Sequence, residues 1–411
     1  MLTRSDLAAL DRTDPLASLR ERFALPEGVI YLDGNSLGPL PRATAARLAE
    51  VVAQEWGDGL IRSWNDAGWM DLPARIGDMI AGLIGAAPGS VLVADSTSVN
   101  LFKLLGAALA LRPERREILT EADNFPTDVY IAGGLADLLG QGHRIRRVVA
   151  ADLPASLGGD TAVLMLTHVN YRTGAMHDMA ALTRAAHAAG ALVLWDLAHS
   201  AGAVPVGLAA AEADLAVGCG YKFLNGGPGA PAFLYAAPCL HPQLRFPLTG
   251  WLGHAEPFAF APDFAPAPGI AAALVGTPPV LSLAALQVGV ELAREAPMAQ
   301  LRAKSEHLGD LFAALVAQQC GGHGLRLLTP TEPGRRGSQI SYAHPDAYPI
   351  MQALIARGVI GDVRAPDILR FGLTPLTLRY ADVWDAVAIL REVMATGAWR
   401  ALEFQVRRKV T

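Results

Sequence analysis

Cysteine is scarce in this sequence: Cys219, Cys239 and Cys320 are the three in 411 residues. That is too few for a disulfide framework, and without a CxxC pair a structural zinc site is not expected. The thiols read as those of a reducing compartment, so a cytoplasmic protein is expected. A basic excess is lacking too. The net charge is −5 and no Lys/Arg stripe stands out, which removes the usual electrostatic footprint of a nucleic-acid binder. Residues 1–15 carry acids and no apolar core, so no signal peptide is expected. The uncharged stretch 269–290 contains Pro278-Pro279, three glycines, Thr277, Ser282 and Gln287. It reads as buried core rather than a membrane span. There is no P-loop, and none of the ten histidines forms an HExxH pair, so no catalytic metal is expected.

What is abundant is apolar material. Hydrophobic residues make up 52% and charged residues 18%, enough for a large core and contrary to disorder. At about 150 residues per domain the length suggests two to three domains. A short helix is expected at Asp14-Pro15, a strand at 29–33, and helices at 42–56 and 72–84. From residue 90 the rhythm changes. Strand runs at 90–95, 116–123, 144–150, 161–170, 191–200, 214–223 and 230–237, most of them apolar, are interleaved with helical stretches at 96–111, 125–140 and 178–190. Continuously apolar strands separated by helices predict a mainly parallel seven-stranded sheet covered on both faces. One long helix is expected over 280–300. Strands and helices of a different, α+β kind follow it.

Two residues at strand ends stand out, Asp196 after ALVLW and Lys222 after LAVGCGY. In open α/β sheets that edge is where ligands bind. A desolvated lysine there can form a Schiff base, and an aspartate can keep a pyridine nitrogen protonated. Taken singly, each also suits an exposed loop start. A third feature joins them: the helix opening at Ser96, Thr97 and Ser98 offers hydroxyls and free N–H groups to an anion. Those groups also suit plain capping. In the order phosphate grip, aspartate, lysine, the three are what pyridoxal 5′-phosphate (PLP) requires.

The segments LWDLAHSAGAVPV (194–206) and GCGYKFLNGGPGAPAFLY (218–235) resemble fold-type I PLP enzymes of the branch that contains cysteine desulfurases. More narrowly, YLDGNSLGPLP (31–41), WGDGLIRSW (56–64), DSTSVNLFKL (95–104), NFPTDVY (124–130), GWLGH (250–254), GTPPVLSL (276–283) and ILRFGLTPL (368–376) resemble the kynureninase family. The resemblance implies an α/β chain of PLP fold-type I. Its large domain is expected at 45–290, with a small α+β domain formed from 1–44 and 291–411. It also implies hydrolysis of L-kynurenine to anthranilate and L-alanine, and a homodimer with its active site near the interface.

Carried over residue by residue, the resemblance makes Lys222 the Schiff-base lysine and proton carrier, and Asp196 the partner of the ring nitrogen. Thr97 and Ser98 hold the phosphate. Phe125 stacks on the ring, with Thr127, Asp128, Thr167 and His199 at the cofactor. Tyr221 is placed at the phosphate and as a proton donor. On a regular strand it would point away from Lys222, and a local bend would bring both to the site. Trp251 and Thr277 match positions that reach the phosphate from the partner subunit, although many relatives carry asparagine in place of Thr277. Arg370 is expected to clamp the substrate α-carboxylate bidentately, with Ser36 nearby. Plain kynurenine is the preferred substrate over its 3-hydroxy form, the sensors being Gly276-Thr277 and 57–64.

Three other readings compete. GNSLG (34–38) matches a G-x-S-x-G nucleophile elbow, but Pro39 and Pro41 follow where a helix should start. A cysteine desulfurase or aminotransferase of the same branch is closer; the first needs a mobile thiolate, and 358–368 has no cysteine. A non-catalytic scaffold would not need Lys222 and Asp196.

Overall fold

The computed structural model describes residues 2–408. Its centre is a seven-stranded sheet. The strands are β2 (Val91–Val93), β3 (Glu117–Glu121), β4 (Arg144–Val148), β5 (Thr161–Thr167), β6 (Leu192–Asp196), β7 (Leu215–Gly218) and β8 (Phe233–Ala236), and their spatial order is β2-β8-β7-β6-β5-β3-β4. The pairs β3–β4, β3–β5, β5–β6 and β6–β7 are parallel, and β8 runs antiparallel to both its neighbours.

The continuous apolar runs are explained by period-two burial into two cores. On β5, Leu164 and Leu166 enter one core and Val163 and Met165 the other. On β6, Val193 and Trp195 alternate with Leu192 and Leu194 in the same way. The first core also holds Ile76, Ile80 and Ile84 of helix Leu72–Ile84. The second holds Leu101, Leu104 and Leu105 of helix Thr97–Ala110. Each such side chain contributes about 1.5–3 kcal/mol on burial. Parity fixes the site: Thr167 and Asp196 are register partners, and both alternate onto the face that carries helix Thr97–Ala110.

The C-terminal region forms an antiparallel sheet of β12 (Asp362–Arg364), β13 (Ile368–Gly372), β10 (Gln339–Ala343) and β9 (Arg326–Leu327), in that order. The start of the chain joins it. β1 (Ile30–Tyr31) pairs in parallel with β11 (Val359–Ile360), and Leu7 and Leu32 share a core with Phe312, Leu354, Phe371 and Val387.

Three expected elements differ. The helix at 280–300 is two helices, Val280–Glu295 and Met298–Gln319, because Pro297 cannot continue the first one's hydrogen bonding. The helix at 42–56 is α-helical only over Arg42–Glu50 and widens to a π-helix over Val51–Asp58. The strand carrying Lys222 stops at Gly218, four residues short of it. Among the described residues no helix is long and apolar enough to cross a membrane.

Candidate active site

Lys222 reaches the site because the chain turns sharply after β7. Asn225 N–H donates to the Lys222 carbonyl at 2.9 Å and Gly226 N–H to the Gly220 carbonyl at 2.9 Å, with Asn225 at φ +55°. This bend lets adjacent Tyr221 and Lys222 face one cavity, as regular strand geometry would not. Gly38 seals the turn from outside. Its N–H donates to the Tyr221 carbonyl at 2.8 Å, and a Cβ there would stand 2.3 Å from the Lys222 carbonyl oxygen. In GNSLG, therefore, Gly38 serves close backbone approach and Gly34 makes room for the Thr374 side chain, and neither builds a nucleophile elbow. Ser36 donates to Asp362 and accepts from Arg370 and Arg364, with no histidine among these partners.

One cavity of about 270 Å³ is lined by Thr97, Ser98, Phe125, Thr127, Asp128, Thr167, Tyr171, Asp196, Ala198, His199, Tyr221 and Lys222. Asp196, 4% exposed, ends β6 and accepts the Ala198 N–H at 2.7 Å. Burial raises its proton affinity, and the Lys222 charge opposes that rise. Asp128 is also buried, and burial followed by the charge of Asp196 raises it well above the usual range. Lys222 Nζ lies 3.1 Å from His199 Nε2. Burial and then the charges of Lys222, Arg370 and Arg364 keep His199 neutral, and its buried Nδ1 has no partner. Burial, and then Cys219 and Asp196, raise Tyr221 and keep its phenol protonated.

Thr97 and Ser98 occupy the first turn of their helix, where Ser96 caps the Val99 N–H at 3.3 Å. The preceding turn is tight: Asp95 has φ +48° and pairs with the fully buried Lys103, which also donates to the Ala273 carbonyl at 2.7 Å. Phe125 stands at the rim, edge-on to Tyr171 at 5.1 Å between ring centres. Thr167 donates to Asn124, whose amide donates to Thr120 at 2.9 Å.

The arrangement fits PLP. Lys222, the buried Asp196 and Asp128, His199 and the Thr97–Ser98 helix start all line one cavity, and an amine for the aldehyde, a carboxylate for the ring nitrogen and a helix N-terminus for the phosphate are what that cofactor needs.

Four expected site residues lie elsewhere. Trp251 and Thr277 line a separate cavity of about 570 Å³ with Ile61, Trp64, Asn65, Met70 and Phe258. Arg370 and Ser36 sit beyond Tyr171 in a cluster with Asp362 and Arg364. The bidentate edge expected to clamp a substrate carboxylate already holds Asp362, so Arg370 cannot offer it as the sequence suggested. Sequence reasoning missed Asp362, Arg364 and Tyr171. The alternation Asp-x-Arg in GDVR, facing ILRFG across one strand pair, was the available signal.

None of the three cysteines lines the Lys222 cavity. Cys219 is buried behind it, Cys320 lies in the small core with burial pushing it up to about 11, and Cys239 is exposed. Among the described residues no group of three or more His, Cys, Asp or Glu stands together as a metal site.

Comparison with known proteins agrees with this geometry. The structure superposes on a cysteine desulfurase from Thermococcus onnurineus NA1 with TM-score 0.78 at 17% identity, covering 92% of this chain and 98% of that one. It superposes on a C-DES variant with glycine covalently linked to its PLP cofactor with TM-score 0.77 at 19% identity, covering 91% and 99%. The fold is that of the fold-type I PLP enzymes, and the cavity carries the groups that such a cofactor needs. A profile described as the kynureninase C-terminal domain matches residues 301–390. Kynureninases from Pseudomonas fluorescens and Burkholderia pseudomallei (strain 1106a) are each 56% identical over the whole of both chains. The chain belongs to the kynureninase family.

Proposed function

We propose that the Lys222 cavity hydrolyses L-kynurenine at its Cβ–Cγ bond, giving anthranilate and L-alanine. The observation that carries this reading is the convergence of Lys222, Asp196 and the Thr97–Ser98 helix start on one cavity, in a chain 56% identical to kynureninases along its full length. PLP, when bound, supplies the electron sink that makes Cα–H and Cβ–Cγ bonds breakable.

The chain's own groups divide the remaining tasks. Lys222 anchors the cofactor and then, as a free amine, takes the Cα proton. Neutral His199, 3.1 Å away, accepts a hydrogen bond from that amine and adds no second charge beside it. Asp196 supplies the negative charge for the ring nitrogen. Thr97 and Ser98 offer hydroxyls and N–H groups to the phosphate. Phe125 covers the ring, and the edge-on contact with Tyr171 fixes its tilt. Tyr221 keeps its proton and can deliver it to the leaving carbon. Asp128, Thr167 and Thr127 complete the polar wall, and the one N–H that Arg370 leaves uncommitted, on Nη1, is its contribution to the substrate carboxylate site beside Ser36.

The working unit in this reading is a cytoplasmic homodimer. Trp251 and Thr277 then serve the partner's phosphate, in keeping with their separate cavity and the exposed aromatics Trp56, Phe258 and Phe260 on this chain. Each subunit divides into a large domain at 45–290 and a small one from 1–44 and 291–411. The separate core that joins Leu7 and Leu32 to C-terminal residues supports that division.

The test is product analysis. PLP-loaded protein given L-kynurenine is expected to release anthranilate fluorescence and alanine in equal amounts. Anthranilate without alanine, or neither product, would overturn the reading.

A further inference from the structure

Behind Tyr171, a wall of the cavity, lies a charged cluster whose hydrogen bonds are unevenly filled. Arg370 is 1% exposed. Its Nε donates to Asp362 Oδ1 at 2.8 Å and its Nη2 to Asp362 Oδ2. Nη2 also donates to Ser36 Oγ, and Nη1 to the Tyr171 carbonyl, both at 2.8 Å. A guanidinium has five N–H donors. These four bonds leave one, and a carboxylate is held best by two.

Arg364 has what Arg370 lacks. Its Nη2 is 2.7 Å from the same Asp362 Oδ2 and 3.3 Å from Ser36 Oγ. Its Nε is buried and has no acceptor. A buried charged donor without a partner is unfavourable unless an anion arrives. The strand pairing explains the placement: Asp362 faces Arg370 in register, and Arg364, two residues on, lies on the same face. The Arg364 charge acts on Tyr171, Tyr221 and His199, all of them cavity walls.

We propose that Arg364 is the second arm of the substrate's α-carboxylate site, acting with Arg370 across their shared anchor Asp362. Two guanidiniums and the Asp362 carboxylate leave a single positive charge while Asp33, pushed up to about 7 by burial and then by Asp362, keeps its proton, and one carboxylate neutralises that charge. Ser36 spans both arginines and fixes their spacing. This assignment rests on the reading of the Lys222 cavity as the kynurenine-hydrolysing site.

The test compares ligands that differ only at the carboxylate. 4-(2-Aminophenyl)-4-oxobutanoate and its carboxamide are titrated calorimetrically into holoenzyme, wild type and Arg364→Gln. The substitution is expected to weaken the acid about tenfold or more and the amide less than about twofold, as loss of a charge-assisted contact requires. KM for L-kynurenine should rise in parallel with kcat nearly unchanged, and Arg364→Lys should recover part of the loss. Equal weakening of acid and amide would mean a merely structural role and would overturn the assignment. So would an unchanged affinity for the acid. A wild-type holoenzyme that releases no anthranilate would remove the functional reading itself, a failure separable from either.

Discussion

Replacing Asp196 by asparagine isolates one charge. The side chain is 4% exposed, and one oxygen accepts the Ala198 N–H at 2.7 Å. Asparagine has the same shape, and its carbonyl can keep that bond, so fold and cofactor pocket should survive. What disappears is the negative charge beside Lys222 and the ring nitrogen. A close unit-charge pair at an effective dielectric of about 20 is worth ~4 kcal/mol. If that stabilisation belongs to the transition state, kcat falls about a thousandfold. Anthranilate fluorescence measures the rate, while circular dichroism and the visible absorbance of bound cofactor confirm that the variant is folded and loaded. A loaded, folded Asp196→Asn variant within about tenfold of wild type would refute the electrostatic role.

Other outcomes follow from the same structure. Lys103→Met removes a fully buried ammonium that ties the Asp95 turn to the Ala273 carbonyl; urea unfolding should show a loss of about 2 kcal/mol, the usual value of hydrogen bonds to a charged group, and PLP should bind more weakly. Asp33, pushed up to about 7 by burial and then by the charge of Asp362, stays protonated in the folded chain while the unfolded chain ionises near its ordinary value. Its contribution to stability is therefore whole below about pH 4 and lost as pH rises towards 7. The stability of Asp33→Asn relative to wild type should rise across that window and level off above it; a difference that stays flat between pH 4 and 8 would contradict the burial argument. Plain kynurenine should give a higher kcat/KM than 3-hydroxykynurenine. Thr277 and Ile61, which share one cavity, are the positions where substitution should alter the ratio.

Much of this was legible in the chain. Continuous apolar runs such as ALVLW, alternating with helical stretches, read as strands buried on both faces, whereas the pairing of Asp196 with Thr167 came only from the register. The three chemical signals, lysine, aspartate and hydroxyl-rich helix start, needed only the rule that ligands sit at strand ends. The geometry of the bend that turns both Tyr221 and Lys222 inward was not readable, because it depends on Asn225 in a left-handed conformation and on Gly38 approaching from 183 residues away in sequence. The engagement of Arg370 by Asp362 escaped for a similar reason. A motif names a guanidinium, but only the strand register says which acid it faces. Pro297 is visible in the sequence, and its missing N–H is what divides the apolar run into two helices.

Everything in the active-site account depends on Lys222 as the residue that carries the cofactor. PLP-loaded enzyme is reduced with borohydride, digested, and its peptides weighed by mass spectrometry. The phosphopyridoxyl mass is expected on the peptide containing Lys222, with no anthranilate release from the reduced protein. An adduct on Lys103, Lys304 or another amine, with Lys222 unmodified and activity intact, would contradict the account.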